Sequence, residues 1–122
     1  MESITIPGSV KEIGKYAFYG CTNLKEVILN EGLEKIGDEA FSDTKIESIS
    51  IPGSVKEIGK YAFSGCEYLK EVILNEGLEK IGAGAFYYTK IKSITIPGSI
   101  KEIGEGAFFN CINLKEVILN EG

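Results

Sequence analysis

The stretch Ile13-Gly14-Lys15-Tyr16-Ala17-Phe18 returns four times, as Ile36-Gly37…Ala40-Phe41, Ile58-Gly59…Ala62-Phe63, Ile81-Gly82…Ala85-Phe86 and Ile103-Gly104…Ala107-Phe108. A motif at near-constant spacing restricts a chain to architectures in which one unit stacks on the next. Ile4, Val27, Ile49, Val72, Ile94 and Val117 mark the same beat in a second column, with alternating steps of 23 and 22 residues. Two kinds of repeat therefore alternate, and the full period is 45 residues; Cys21, Cys66 and Cys111 keep it. Residues 3–47 and 48–92 differ only at positions 5, 19, 22, 23, 38, 39, 42, 43 and 47 of the first unit. None of these lies on the Ile, Leu, Val, Ala or Phe beat, which is the pattern of a held core and a drifting surface.

Each repeat reads as two pieces. The first is a short alternating run: Ile4-Thr5-Ile6, Val27-Ile28-Leu29, Ile49-Ser50-Ile51, Val72-Ile73-Leu74, Ile94-Thr95-Ile96 and Val117-Ile118-Leu119. Period two with β-branched residues predicts strands whose outer residues point one way and whose middle residue points the other. Pro7-Gly8-Ser9 and Asn30-Glu31-Gly32, with their later copies, are turn chemistry. Pro7, Pro52 and Pro97 end their strands because proline has no N–H for a ladder. The second piece spaces Val10, Ile13, Ala17, Phe18, Cys21 and Leu24 at close to a helical period, which predicts a short α or 3₁₀ segment over 15–19. Gly14 precedes it, where close backbone approach or an unusual dihedral suits glycine. One repeat cannot bury its own apolar face, but a stack can, around a spine of Phe18, Phe41, Phe63, Phe86 and Phe108.

The run Leu24-x-x-Val27-x-Leu29, followed by Leu33, Ile36-Gly37 and Ala40-Phe41, resembles the leucine-rich repeat of the bacterial BspA-like class. The match recurs along nearly the whole chain. The resemblance implies an α/β repeat solenoid, curved, with short parallel strands on its concave face and short α or 3₁₀ segments on the other. It also implies a secreted or surface-displayed protein associated with adhesion to proteins. It transfers no binding residues, because the shared motif is structural. The expected organisation is one solenoid over residues 1–122, made of five complete repeats and a sixth strand.

Stacking also orders the charges. Lys11, Glu34, Lys56, Glu79 and Lys101 form one column of alternating sign, and Glu12, Lys35, Glu57, Lys80 and Glu102 form the next. Neighbours about 5 Å apart are worth roughly 0–1 kcal/mol each at a surface, but the alternation penalises stacking a repeat on its own type. The cysteines lie two repeats apart, about 9–10 Å by strand spacing, which is beyond the reach of a disulfide. Thr44 and Thr89 take their place in the repeats between, so the cysteines are expected to act as small buried hydrophobes.

The chain offers little to chemistry. It has no histidine, which excludes the histidine-dependent nucleophilic triads, and no C-x-x-C pair for zinc. Its Ile-Gly pairs are isolated and periodic rather than a phosphate loop. Asp38, Glu39 and Asp43 form the only acidic cluster, in one repeat, without a calcium-loop pattern. With 13 basic and 18 acidic residues, a net charge of -5 and no basic stripe, nucleic acid is not an expected partner. No apolar run approaches a membrane span, and no signal peptide opens the chain. The reading is a non-enzymatic chain with no cofactor and no metal.

What remains is surface. The outward middle residues of the strands are Thr5, Ile28, Ser50, Ile73, Thr95 and Ile118, and three outward isoleucines on one sheet mark a candidate partner-binding face. On the far side Tyr87, Tyr88 and Phe109 are a second candidate, since aromatics are enriched at interface hot spots. The chain opens in a strand at Ser3 and closes in another at Leu119, without polar caps. The lateral faces thus favour a protein ligand, and the uncapped edges favour association with itself to give a homo-oligomer. The two functional expectations are therefore a protein-binding or adhesion module of a longer repeat protein, and a self-assembling structural unit or excised or engineered scaffold.

Overall fold

The computed structural model describes residues 2–121. Eleven strands follow one another: β1 (Ser3–Ile6), β2 (Glu12–Ile13), β3 (Glu26–Leu29), β4 (Lys35–Ile36), β5 (Ser48–Ile51), β6 (Glu57–Ile58), β7 (Glu71–Leu74), β8 (Lys80–Ile81), β9 (Ser93–Ile96), β10 (Glu102–Ile103) and β11 (Glu116–Leu119). Each repeat contributes one four-residue strand, a turn, one two-residue strand and a stack of turns that leads back to the start. All pairing is parallel. The chain is a leucine-rich-repeat solenoid whose alternating patterns match the expected faces. Val27 and Leu29 point inward while Ile28 points out, and Ile49, Ile51, Val72 and Leu74 repeat this.

The core is the continuous apolar column the period demands. Phe41, Phe63 and Phe86 are fully buried. The rings of Phe18, Phe41, Phe63, Phe86 and Phe108 stack with centroids 5.3, 5.4, 5.4 and 5.6 Å apart. The cysteine column is also as expected: all three thiols are free, and Cys66 and Cys111 are buried. Cys66 Sγ donates to the Phe41 carbonyl at 3.1 Å and lies 3.4 Å from Thr44 Oγ1.

The helical expectation fails. Residues 15–20 and their equivalents form consecutive turns, and no helix occurs among the described residues. Two observations explain this. Alternate N–H groups leave the local chain: Tyr16, Phe18 and Gly20 donate to the carbonyls of Asp38, Ala40 and Ser42 in the next repeat. Only Ala17, Tyr19 and Cys21 bond three residues back. Tyr16 (φ 59°) and Gly20 (φ 69°) are also left-handed, as are Tyr61, Gly65, Gly84 and Tyr88, so a right-handed helix cannot propagate. The apolar spacing imitates a helical period because this turn ladder places Ala17, Phe18 and Cys21 on one side, as a helix would.

The two strand ladders differ. The short strands form one five-stranded sheet in the order β10-β8-β6-β4-β2, which pairs Glu12 with Lys35, Lys35 with Glu57, Glu57 with Lys80 and Lys80 with Glu102. The alternating charge column is thus set by register. The long strands pair only as β1-β3, β5-β7 and β9-β11. Where pairing holds, an asparagine extends it: Asn30 N–H donates to Ile6 O at 3.2 Å, and Asn120 to Ile96 at 3.0 Å. Across the unpaired steps the equivalent residues are Pro52 and Pro97, which have no N–H to give.

Candidate functional site

The candidate residues occupy two separate faces. Thr5 pairs in register with Ile28, Ser50 with Ile73 and Thr95 with Ile118. All six belong to the long strands, at the position whose side chain leaves the core. Ile28, Ile73 and Ile118 are 48%, 50% and 42% exposed. The row therefore alternates a small hydroxyl residue with a half-exposed isoleucine, and around it stand the charged strand starts Glu26 and Glu71. Such a surface can exclude water from an apolar partner over several repeats, with hydroxyls between as hydrogen-bonding groups.

The second face is built by the turn stack. Tyr87 and Phe109 stack with centroids 5.7 Å apart and an interplanar angle of 13°, and Asn110 Nδ2 donates to the Tyr87 hydroxyl at 3.4 Å. Tyr88 sits beside Tyr87, 6.2 Å away, half exposed and at φ 63°. The structure thus brings these three together and keeps them apart from the isoleucine row. It adds residues that the sequence reading did not single out. Tyr61, Gly84, Gly106 and Glu105 join Tyr87 and Phe109 around an open groove of about 870 Å³. Its signal is present in the repeat column Tyr16, Glu39, Tyr61, Gly84, Gly106: side chains disappear in two successive repeats. A methyl group at Gly84 would overlap the Tyr61 ring.

The members of the acidic cluster have separate partners. Asp38 Oδ1 accepts the Lys60 N–H at 2.9 Å. Glu39 lies beside Tyr16, whose hydroxyl its charge and hydrogen bond push above the usual tyrosine range. Among the described residues no group of three or more His, Cys, Asp or Glu is placed to hold a metal ion, and no helix is long and apolar enough to cross a membrane.

Several solved structures resemble this one over almost its full length. The pneumococcal vaccine antigen PcpA is 37% identical with a TM-score of 0.93, over 99% of this chain and 31% of its own. A leucine-rich cell surface protein from Faecalibacterium prausnitzii is 28% identical with a TM-score of 0.74, over 99% and 39%. A leucine-rich repeat protein from Eubacterium ventriosum is 28% identical with a TM-score of 0.86, over 98% and 32%. The chain therefore spans about a third of the length of these proteins. No curated protein sequence matches it. The repeat itself is matched six times over residues 1–120 by the BspA-type leucine-rich repeat region, and the chain belongs to that family.

Proposed function

We propose that this chain is a non-catalytic protein-binding module, part of a longer secreted or surface-displayed bacterial protein, and that the long-strand face receives the partner. The observation that carries the reading is the row of half-exposed Ile28, Ile73 and Ile118, held in register on one face with Thr5, Ser50 and Thr95. The pneumococcal antigen and the cell surface protein support the setting, because this chain matches each along its own full length. An adhesive role follows if the captured partner is itself anchored to another surface.

The test is capture of extracellular proteins by immobilised chain, compared between wild type, Ile73→Glu on the strand face and Tyr19→Glu on the turn face. A partner retained by wild type and Tyr19→Glu but lost by Ile73→Glu is the expected outcome. Capture that survives Ile73→Glu rules out this face.

A further inference from the structure

The groove on the turn face has a composition unlike the rest of the surface. Glycine floors it at Gly84 and Gly106, where the first three repeats carry Tyr16, Glu39 and Tyr61. Three aromatic side chains border it: Tyr61, 45% exposed, Phe109, 61% exposed, and Tyr87 between exposed and buried. Glu105 supplies the only charge in the lining, and no lysine borders it. The groove, about 870 Å³, is open to solvent, so it can receive a side chain presented from outside. Tyr87 and Phe109 stack on each other and Tyr61 lies against Gly84, yet Tyr61 and Phe109 keep about half of their surface open; with one carboxylate and no competing cation in the lining, this environment favours an organic cation over a neutral or anionic group. The aromatic rings attract the cation through their quadrupoles, and the carboxylate adds a charge-assisted hydrogen bond. A flat guanidinium suits this better than an ammonium, because it can stack on a ring while it donates to a carboxylate. The excess of acidic over basic residues in the chain adds attraction of the same sign.

We infer that this groove is a second recognition site, which takes an arginine side chain presented by a partner protein. The site lies on the turn face and does not depend on the isoleucine row, so failure of the Ile73→Glu experiment leaves it standing.

The probe is acetyl-Gly-Arg-Gly-amide, titrated into the ¹⁵N-labelled chain while the amide signals of Gly84 and Gly106 are followed. The citrulline peptide, of the same shape without the charge, is the control. The expected result is a saturable shift at both glycines with the arginine peptide and affinity for the citrulline peptide lower by about tenfold. Glu105→Gln should weaken the arginine peptide several-fold toward the citrulline level, and Phe109→Ala should weaken it in a chain whose remaining amide spectrum reports an intact fold. Equal affinity for the two peptides, an unchanged affinity in Glu105→Gln, or no shift at either glycine overturns the proposal.

Discussion

Cys66 shows how position in the stack changes a side chain's chemistry. Burial is the main cause that raises its thiol from 9.0 to about 11; the Asp43 charge adds to this, and hydrogen bonds from Thr44 oppose it. The folded state therefore holds the proton more tightly than the unfolded chain does. The stability this represents is complete below pH 9 and is lost as pH rises toward 11. A shift of this size corresponds to roughly 2–3 kcal/mol. Denaturant unfolding of wild type should thus lose that much more stability over this interval than Cys66→Ala does. Parallel stability profiles for the two proteins would show that the thiol does not titrate as a buried group.

At the level of the element, the glycine that precedes each turn stack is needed because repeats approach one another through backbone. A methyl group at Gly59 would lie 2.6 Å from Asp38 N, and one at Gly37 2.6 Å from Ile13 O. Gly14 occupies the same position with nothing within 4 Å. Gly59→Ala should cost at least about 2 kcal/mol by forced displacement of backbone, whereas Gly14→Ala should stay within about 0.5 kcal/mol. Thermal unfolding of the two single variants checks this, and equal losses would refute the backbone-contact account. Side chains also act where the long-strand ladder stops. Across the unpaired step from β3 to β5, the Glu31 carboxylate accepts from Gly53 N and Ser54 N at 3.1 and 3.2 Å, and Ser54 Oγ donates to Leu33 O at 2.7 Å. Glu76 does the same for Gly98 and Ser99. The 45-residue period thus has a structural meaning on the long-strand side: backbone pairing joins the long strands within a pair, carboxylate-to-turn bonds span the step to the next pair, and the short-strand sheet runs through both.

At the scale of the whole molecule, the strands of the described residues touch only those of the adjacent repeats, so stability is close to a sum of repeat and neighbour terms. Phe63 is fully buried and stacked on both sides, while Phe18 is partly exposed and stacked on one. Phe63→Ala should cost roughly 3–5 kcal/mol, and Phe18→Ala clearly less; equal losses in denaturant melts would mean that the spine does not act through its neighbours. The alternating charge columns contribute little beside this. Lys101–Glu79, at 3.7 Å, is the one close ion pair among the described residues, and both partners are well exposed. Their register matters for which repeats meet rather than for how strongly they hold.

The sequence by itself determined the repeat, its two alternating types, the strand positions with their inward and outward residues, the phenylalanine spine and the free cysteines. Each follows from periodicity, because stacking carries a residue onto its own equivalent. The outward row from Thr5 to Ile118 was legible for the same reason. The turn stack was not, because turns and a short helix place the same apolar residues inward and differ only in where their N–H groups go. That choice was made between repeats, by the carbonyls of the neighbour. The broken long-strand sheet is likewise a tertiary result, since Pro52 and Pro97 matter only once a partner strand faces them. The groove bounded by Tyr61, Tyr87, Glu105 and Phe109 also exists only after stacking, because its lining comes from three successive repeats.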